Sequence, residues 1–189
     1  MTKQLKNITL ALIAFVSFTT QAQTSKKVNA EKSSIHWVGK KVTGQHDGIV
    51  NLKDGILMFK GDKLAGGKFT VDMTSITTKD LEGEWGAKLD GHLKSDDFFS
   101  TEKYPNANLE FKKIADKGNG VYTVFADLTI KGITNPINFD MTVAKNSAST
   151  KLIIDRTKYD IKYKSGSFFE NLGDKTIYDD FELDVNLVF

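Results

Sequence analysis

The stretch "VYTVFADLTIKGITNPINFDMTV", residues 121–143, decides the fold class. Tyr122, Val124, Ala126, Leu128 and Ile130 recur every second position, and Ile137, Phe139, Met141 and Val143 repeat the pattern after "KGITNP". Side chains on a strand point alternately to opposite faces, so each series is one apolar face and the polar residues between them face water. Gly and Pro in the intervening segment mark a turn. The stretch therefore reads as strand, turn, strand, each buried on one side.

The same period extends outward from it. The C-terminal "FELDVNLVF" (181–189) sets Phe181, Leu183, Val185, Leu187 and Phe189 on one face. Further candidate strands cover 35–43, 48–53, 55–60, 68–76, 108–115 and 152–157, separated by turn signals such as "KDG" (53–55), "KGD" (60–62) and "KGNG" (117–120). Eight or nine short strands without alternating long helices predict an all-β, antiparallel fold. Two architectures satisfy this pattern, a two-sheet sandwich and a closed barrel. Only the barrel, at about eight strands, encloses a lumen wide enough for one ligand.

One segment breaks the period. Between residues 80 and 97, Leu89 and Leu93 stand four apart and share a helix face, while Gly83, Gly86 and Gly91 limit the helix to a few turns. A short, interrupted helix inserted between strands and lying over one end of the sheet is expected.

The start of the chain is read as an export leader. Residues 1–22 carry Lys3 and Lys6, an apolar run of about eleven residues from Ile8 to Phe18, and small residues before a cleavage point after Ala22. The run is too short to span a bilayer, which takes about 20 residues. Residues 23–33 are polar and aperiodic and read as a flexible lead-in, leaving 34–189 as the folded domain. The whole chain has 26 basic and 24 acidic side chains, and the leader holds two of the lysines and no acid, so the mature protein is neutral. Neutrality gives no electrostatic case for nucleic acid. There is no cysteine, which excludes disulfides, thiolate metal sites and a cysteine nucleophile. An exported protein with no membrane segment after cleavage is expected.

Four stretches, "GGKFTVDMTSI" (66–76), "HLKSDDFFSTEKYPNANLEF" (92–111), "ADLTIKGITNPINF" (126–139) and "IDRTKYDIKY" (154–163), resemble in that order the YceI-like family of polyisoprenoid-binding proteins. The resemblance covers the mature chain from about residue 35. It implies an extended, lipocalin-like antiparallel barrel whose lumen takes a long isoprenoid or similar lipid, no cofactor, and a periplasmic setting. "LEGEWGAKLD" (81–90) and "SGSFFENLGDKTIYDDFE" (165–182) depart from the broader pattern.

With that resemblance, the inward faces become lumen candidates rather than plain core. Trp37, Phe69, Val71 and Met73 supply one group; Phe125 (or Val124), Phe139, Met141 and Ile154 supply a second. Leu93, Phe98 and Phe99 of the lid segment would close over them. Met and Phe suit a disordered chain because they repack easily.

Four polar residues are candidates for a head group or rim: His92, Lys94, Asp96 and Arg156. Arg156 is the single arginine beside 25 lysines, and its planar fork suits either a phosphate or carboxylate head, or a structural carboxylate such as Asp155 or Asp127. His92 with Ser95 or an acid is the material of a hydrolase, though no nucleophile-elbow motif accompanies it. A dry barrel serving as an interaction module is the other alternative. His36, His46 and His92 are too scattered to form a metal motif.

Overall fold

The structure, a computed structural model, describes residues 23–189. The leader expected at 1–22 lies outside the described residues. Among these, nine strands form one antiparallel sheet: β1 (Gln23–Lys27), β2 (Ser34–Lys41), β3 (Gly44–Lys60), β4 (Lys63–Thr78), β5 (Asn106–Gly118), β6 (Val121–Ile130), β7 (Ile133–Val143), β8 (Ser147–Asp155) and β9 (Ile177–Val188). Their order is β1-β3-β2-β9-β8-β7-β6-β5-β4, and β4 also pairs with β3. That last pairing closes eight strands, β2 to β9, into a barrel and answers the question the period left open. An α-helix, α1 (Gly83–Lys94), connects β4 to β5.

The 121–143 stretch folds as its period predicts. Ile130 pairs with Ile133 across a two-residue turn in which Lys131 and Gly132 have φ of 50° and 74°. Two successive positive φ values match the right-handed twist of the flanking strands, and glycine takes one of them without strain. Tyr122, Val124, Ala126, Leu128 and Ile130 are all buried.

Two expectations are corrected. Residues 48–53 and 55–60 are one strand, not two. "KDG" is a bulge: Val50 and Leu52 face inward, Lys53 and Asp54 both face out, and Leu57 and Phe59 face inward again. An extra residue in one strand shifts the alternation by one without breaking the ladder. Residues 23–33 are also not a flexible lead-in. β1 pairs with the far half of β3, from Gln23↔Lys60 to Lys27↔Ile56, and a 3-10 turn at Ala30–Lys32 leads on to β2. β3 spans 17 residues and β2 only eight, so half of β3's edge is left to a second partner. Backbone pairing supplies it regardless of side-chain polarity.

Strand directions put the β2–β3 hairpin, α1, the β6–β7 hairpin and the 156–176 loop at one end of the barrel. At the opposite end the interior is solid. Leu57, Phe59, Leu64, Phe111, Tyr122 and Val124 pack there, with Phe59 against Phe189 at 5.9 Å between ring centroids. Lys26 lays its ammonium 4.9 Å from the Phe189 ring.

Candidate functional site

The end carrying α1 is hollow. A cavity of about 220 Å³ runs from Val185 and Leu187 in mid-barrel up to α1. That is several times the ~30 Å³ share of a single water. Its wall is built from the inward positions of every barrel strand, from Ile35 and Trp37 of β2 round to Ile76 and Met73 of β4.

Ten of the eleven sequence-predicted lumen residues stand on this wall: Trp37, Phe69, Val71, Met73, Leu93, Phe98, Phe99, Phe139, Met141 and Ile154. Phe125 does not. It is 40% exposed and faces out, with the Lys113 ammonium 5.7 Å from its ring, and Val124 holds the inward position. Alternation forces this result, because Val124 and Phe125 cannot both face the interior of a regular strand. Beyond the predicted set, the wall also takes in the alternating β9 residues Phe181, Leu183, Val185 and Leu187. Their alternation in "FELDVNLVF" is the signal that marks them as one inward face.

The lid is α1 with the turn that follows it. Leu93 is buried and Leu89 packs half-buried beneath the helix. The helix runs twelve residues without interruption despite its internal glycines. At Gly86 a Cβ would come within 2.6 Å of the Leu81 carbonyl oxygen, so the close entry of the chain accounts for the glycine. Asp90 anchors the helix to β4 by accepting hydrogen bonds from the Thr78 amide at 2.7 Å and the Thr77 hydroxyl at 2.9 Å. Burial pushes the Asp90 carboxyl up, but hydrogen bonds from Thr78 and Thr77 outweigh it and hold the group below the usual carboxylate range. Beyond α1 the chain folds back through Phe99 N–H to Leu93 O (3.1 Å) and Thr101 N–H to Lys94 O (3.0 Å). This turn drives Phe98 and Phe99 inward as a plug, their rings 5.5 Å apart and T-shaped.

The polar candidates divide. Lys94 and Asp96 do not line the cavity; Asp96 is exposed and pairs with Lys103 at 2.8 Å. Neither stands on the wall where a head group held inside the lumen would meet it. Arg156 does reach the wall but is only 2% exposed, and each of its three nitrogens has a partner. Nε donates to Tyr178 O (3.1 Å), Nη1 to Ile161 O (2.7 Å) and Nη2 to Ile177 O (3.0 Å), while Asp179 approaches at 3.5 Å. Asp155 instead caps the following 3-10 turn through Thr157, and Asp127 pairs with Lys112. The arginine is thus a staple between β9 and the 156–161 segment. Sequence could not show this, because its partners are main-chain carbonyls brought together by the fold.

His92 lies on the cavity wall with its ring against Tyr163 (4.4 Å) and Phe98 (5.4 Å). Its Nε2 is buried and has no hydrogen-bond partner. Ser95 does not supply one: its hydroxyl donates to the His92 main-chain oxygen at 2.7 Å. The histidine–serine pair of a hydrolase is therefore not assembled. Two other histidines do meet carboxylates, His36 with Asp47 and His46 with Asp80, both at 2.8 Å. No cluster of three potential metal ligands occurs among the described residues, and no described helix is long and apolar enough to cross a membrane.

Burial lowers the pKa of His92 below the ordinary 6.5, with Lys164 adding to the effect and Asp97 opposing it. The folded chain then takes up a proton at lower pH than the unfolded chain. Stability is complete above about pH 6.5 and declines as pH falls through the lowered value. Between pH 7 and 5, the Tm of the wild type is expected to drop more than that of His92→Phe, which keeps the aromatic packing. Parallel Tm profiles in calorimetry would refute the assignment.

Known proteins share this outline. The family model described as the YceI-like domain matches residues 27–189. A UPF0312 protein of Shewanella denitrificans is 38% identical over 90 residues, an alignment covering 48% of this chain and 45% of the relative, so the match spans about half of that protein's length. The crystal structure of Burkholderia cenocepacia BcnA superposes with a TM-score of 0.68 at 22% identity, covering 86% of this chain and 99% of that one. A structure described as a polyisoprenoid binding domain from Saccharophagus degradans, implicated in plant cell wall breakdown, gives 0.58 at 14% identity, covering 85% and 95%. At these identities the superpositions speak for the barrel alone. The family match spans nearly all of the described residues, and on that ground the chain belongs to the YceI-like domain family.

Proposed function

We propose that the protein is an exported carrier or sequestering protein that holds a polyisoprenoid or similar long-chain lipid in the barrel lumen. The observation that carries this reading is the cavity: about 220 Å³ of space walled by apolar side chains and plugged by Phe98 and Phe99. Walling off that much apolar space rather than packing it costs about 5 kcal/mol. This is a large share of the ~5–15 kcal/mol that stabilises a domain. Such a cost is hard to reconcile with a dry interaction module, whose interior gains nothing from the space. Water does not offset it, because apolar walls offer too few hydrogen-bond partners.

An alkyl or prenyl chain does offset it. Each buried methylene contributes roughly 0.8 kcal/mol, against an association cost of about 4–15 kcal/mol. A chain of twenty or more carbons therefore binds tightly on apolar contact, and a short fatty acid binds marginally. Membership of the YceI-like family and the likeness to the polyisoprenoid binding domain of Saccharophagus degradans point to the same ligand class. The leader-like residues 1–22, ending immediately before β1, support export to the periplasm.

The test is native mass spectrometry, with organic extraction, of protein purified from the periplasm without detergent. A stoichiometric long-chain adduct on a chain beginning at Gln23 is the expected result. A bare mass that stays unchanged after incubation with polyprenyl lipids would refute the carrier reading.

A further inference from the structure

We infer that the lip formed by the β2–β3 hairpin and the 156–178 segment is a docking surface for an anionic phospholipid bilayer, and that the helical lid is held off that surface. Attachment of the lip does not depend on what fills the barrel, so it stands apart from the lumen reading above.

Nine large hydrophobic side chains are exposed among the described residues, and seven of them stand at the hollow end of the barrel. The other two, Phe125 and Ile153, lie on the outer wall of β6 and β8. Four of the seven, Val42, Phe168, Phe169 and Tyr178, are each about half exposed and share one continuous lip. Val42 N–H donates to Thr176 O at 3.1 Å, and Lys41 lies opposite Ile177, whose N–H donates to Lys164 O at 2.9 Å. The amides of Phe168 and Phe169 both donate to Ser165 O, at 3.2 and 3.0 Å, in a tight turn that presents the two rings side by side. Lys41, Ile177 and Tyr178 also line the cavity, so the lip borders its opening. Apolar side chains gathered at one end, rather than scattered singly, mark a surface that meets a partner.

Charge selects the partner and the orientation. Residues 40–46 and 156–180 carry seven basic side chains and five acidic ones, whereas 79–104, the lid with its flanks, carry four basic and seven acidic. An anionic surface therefore attracts the lip and repels the lid. Aromatic rings seat at the level of lipid head groups. Lysines beside them lay their stems on apolar surface and bring their ammonium groups to the phosphates. Lys162 has that arrangement, with its ammonium 5.1 Å from the Phe168 ring. Docked by the lip, the cavity opens towards the bilayer, where a long-chain lipid is exchanged without crossing water.

The test is flotation of the protein, purified from the periplasm without detergent, with vesicles of phosphatidylcholine alone or of phosphatidylcholine and phosphatidylglycerol in equal parts. Binding to the anionic vesicles is expected, about tenfold weaker on the neutral ones and weakened by added salt. Phe168→Ser with Phe169→Ser should lower it about tenfold through lost apolar contact. Lys164→Ala and Lys175→Ala should lower it roughly fivefold each. Phe125→Ser with Ile153→Ser removes equally exposed side chains from the outer wall and should leave binding unchanged, as should Trp85→Ser on the lid. All of these positions are exposed or lie on the surface, and calorimetry checks that each variant is folded. Equal flotation with both vesicles would overturn the inference, as would wild-type flotation of the folded phenylalanine variant, or a loss with Trp85→Ser as large as that variant's. Absence of flotation with either vesicle would also overturn it and give the lip to a protein partner. A long-chain adduct still present in native mass spectrometry of that sample would leave the lumen reading standing.

Discussion

Replacing Arg156 with alanine lowers the stability by about 4 kcal/mol, because three main-chain carbonyls in a buried setting lose their donors at once. Each unsatisfied buried group costs about 1–3 kcal/mol, and removing one member of a buried charge cluster typically costs about 3–5 kcal/mol. The carbonyls of Tyr178, Ile161 and Ile177 are the ones stranded. For a domain of this length the loss corresponds to a Tm lower by roughly 8–16 °C, measurable by scanning calorimetry. Arg156→Lys separates the staple from the head-group clamp. A single ammonium cannot reach three carbonyls addressed by three separate nitrogens, so the lysine variant should lose most of the same stability. A lysine variant with wild-type Tm and weakened lipid binding would instead restore the clamp.

Met141→Trp should abolish lipid binding while leaving the protein folded and within a few degrees of the wild-type Tm. Met141 is 2% exposed and sits on β7 with its side chain against the cavity. In a filled core, an indole at this position would overpack its neighbours at a cost of about 1–3 kcal/mol or more. Beside about 220 Å³ of free space it enters that space and takes the place of ligand. Native mass spectrometry should show loss of the adduct, and calorimetry should show a folded chain. A large fall in Tm would mean that the wall around Met141 is packed, and would favour the dry barrel.

Both expectations depend on how the inward side chains are divided along the barrel axis. Tyr122 and Leu128 belong to the same alternating series and are both buried, yet Tyr122 sits in the solid end and Leu128 on the cavity wall. Alternation assigns a residue to a face. It carries no information on what stands opposite, and that decides whether an inward side chain meets another side chain or open space. Phe125 marks a limit of a different kind. It adjoins Val124 on the strand, only one of the two can point inward, and aromatic character alone does not say which.

Most of the strands, their faces, a turn following Ile130 and the helical lid were legible in the sequence alone, because each is set by local period or by backbone preference over a few residues; the turn proved to be only Lys131 and Gly132, with Pro136 inside β7. Placing Leu93, Phe98 and Phe99 over a lumen drew on the family resemblance as well as on their position beside the helix. The tertiary structure alone decided the rest. Closure through the β3–β4 pairing, the recruitment of polar β1 to the free half of β3, and the partners of Arg156 all join segments distant in the chain. Main-chain groups make these contacts, and since every residue carries the same main chain, the amino-acid sequence leaves little trace of them.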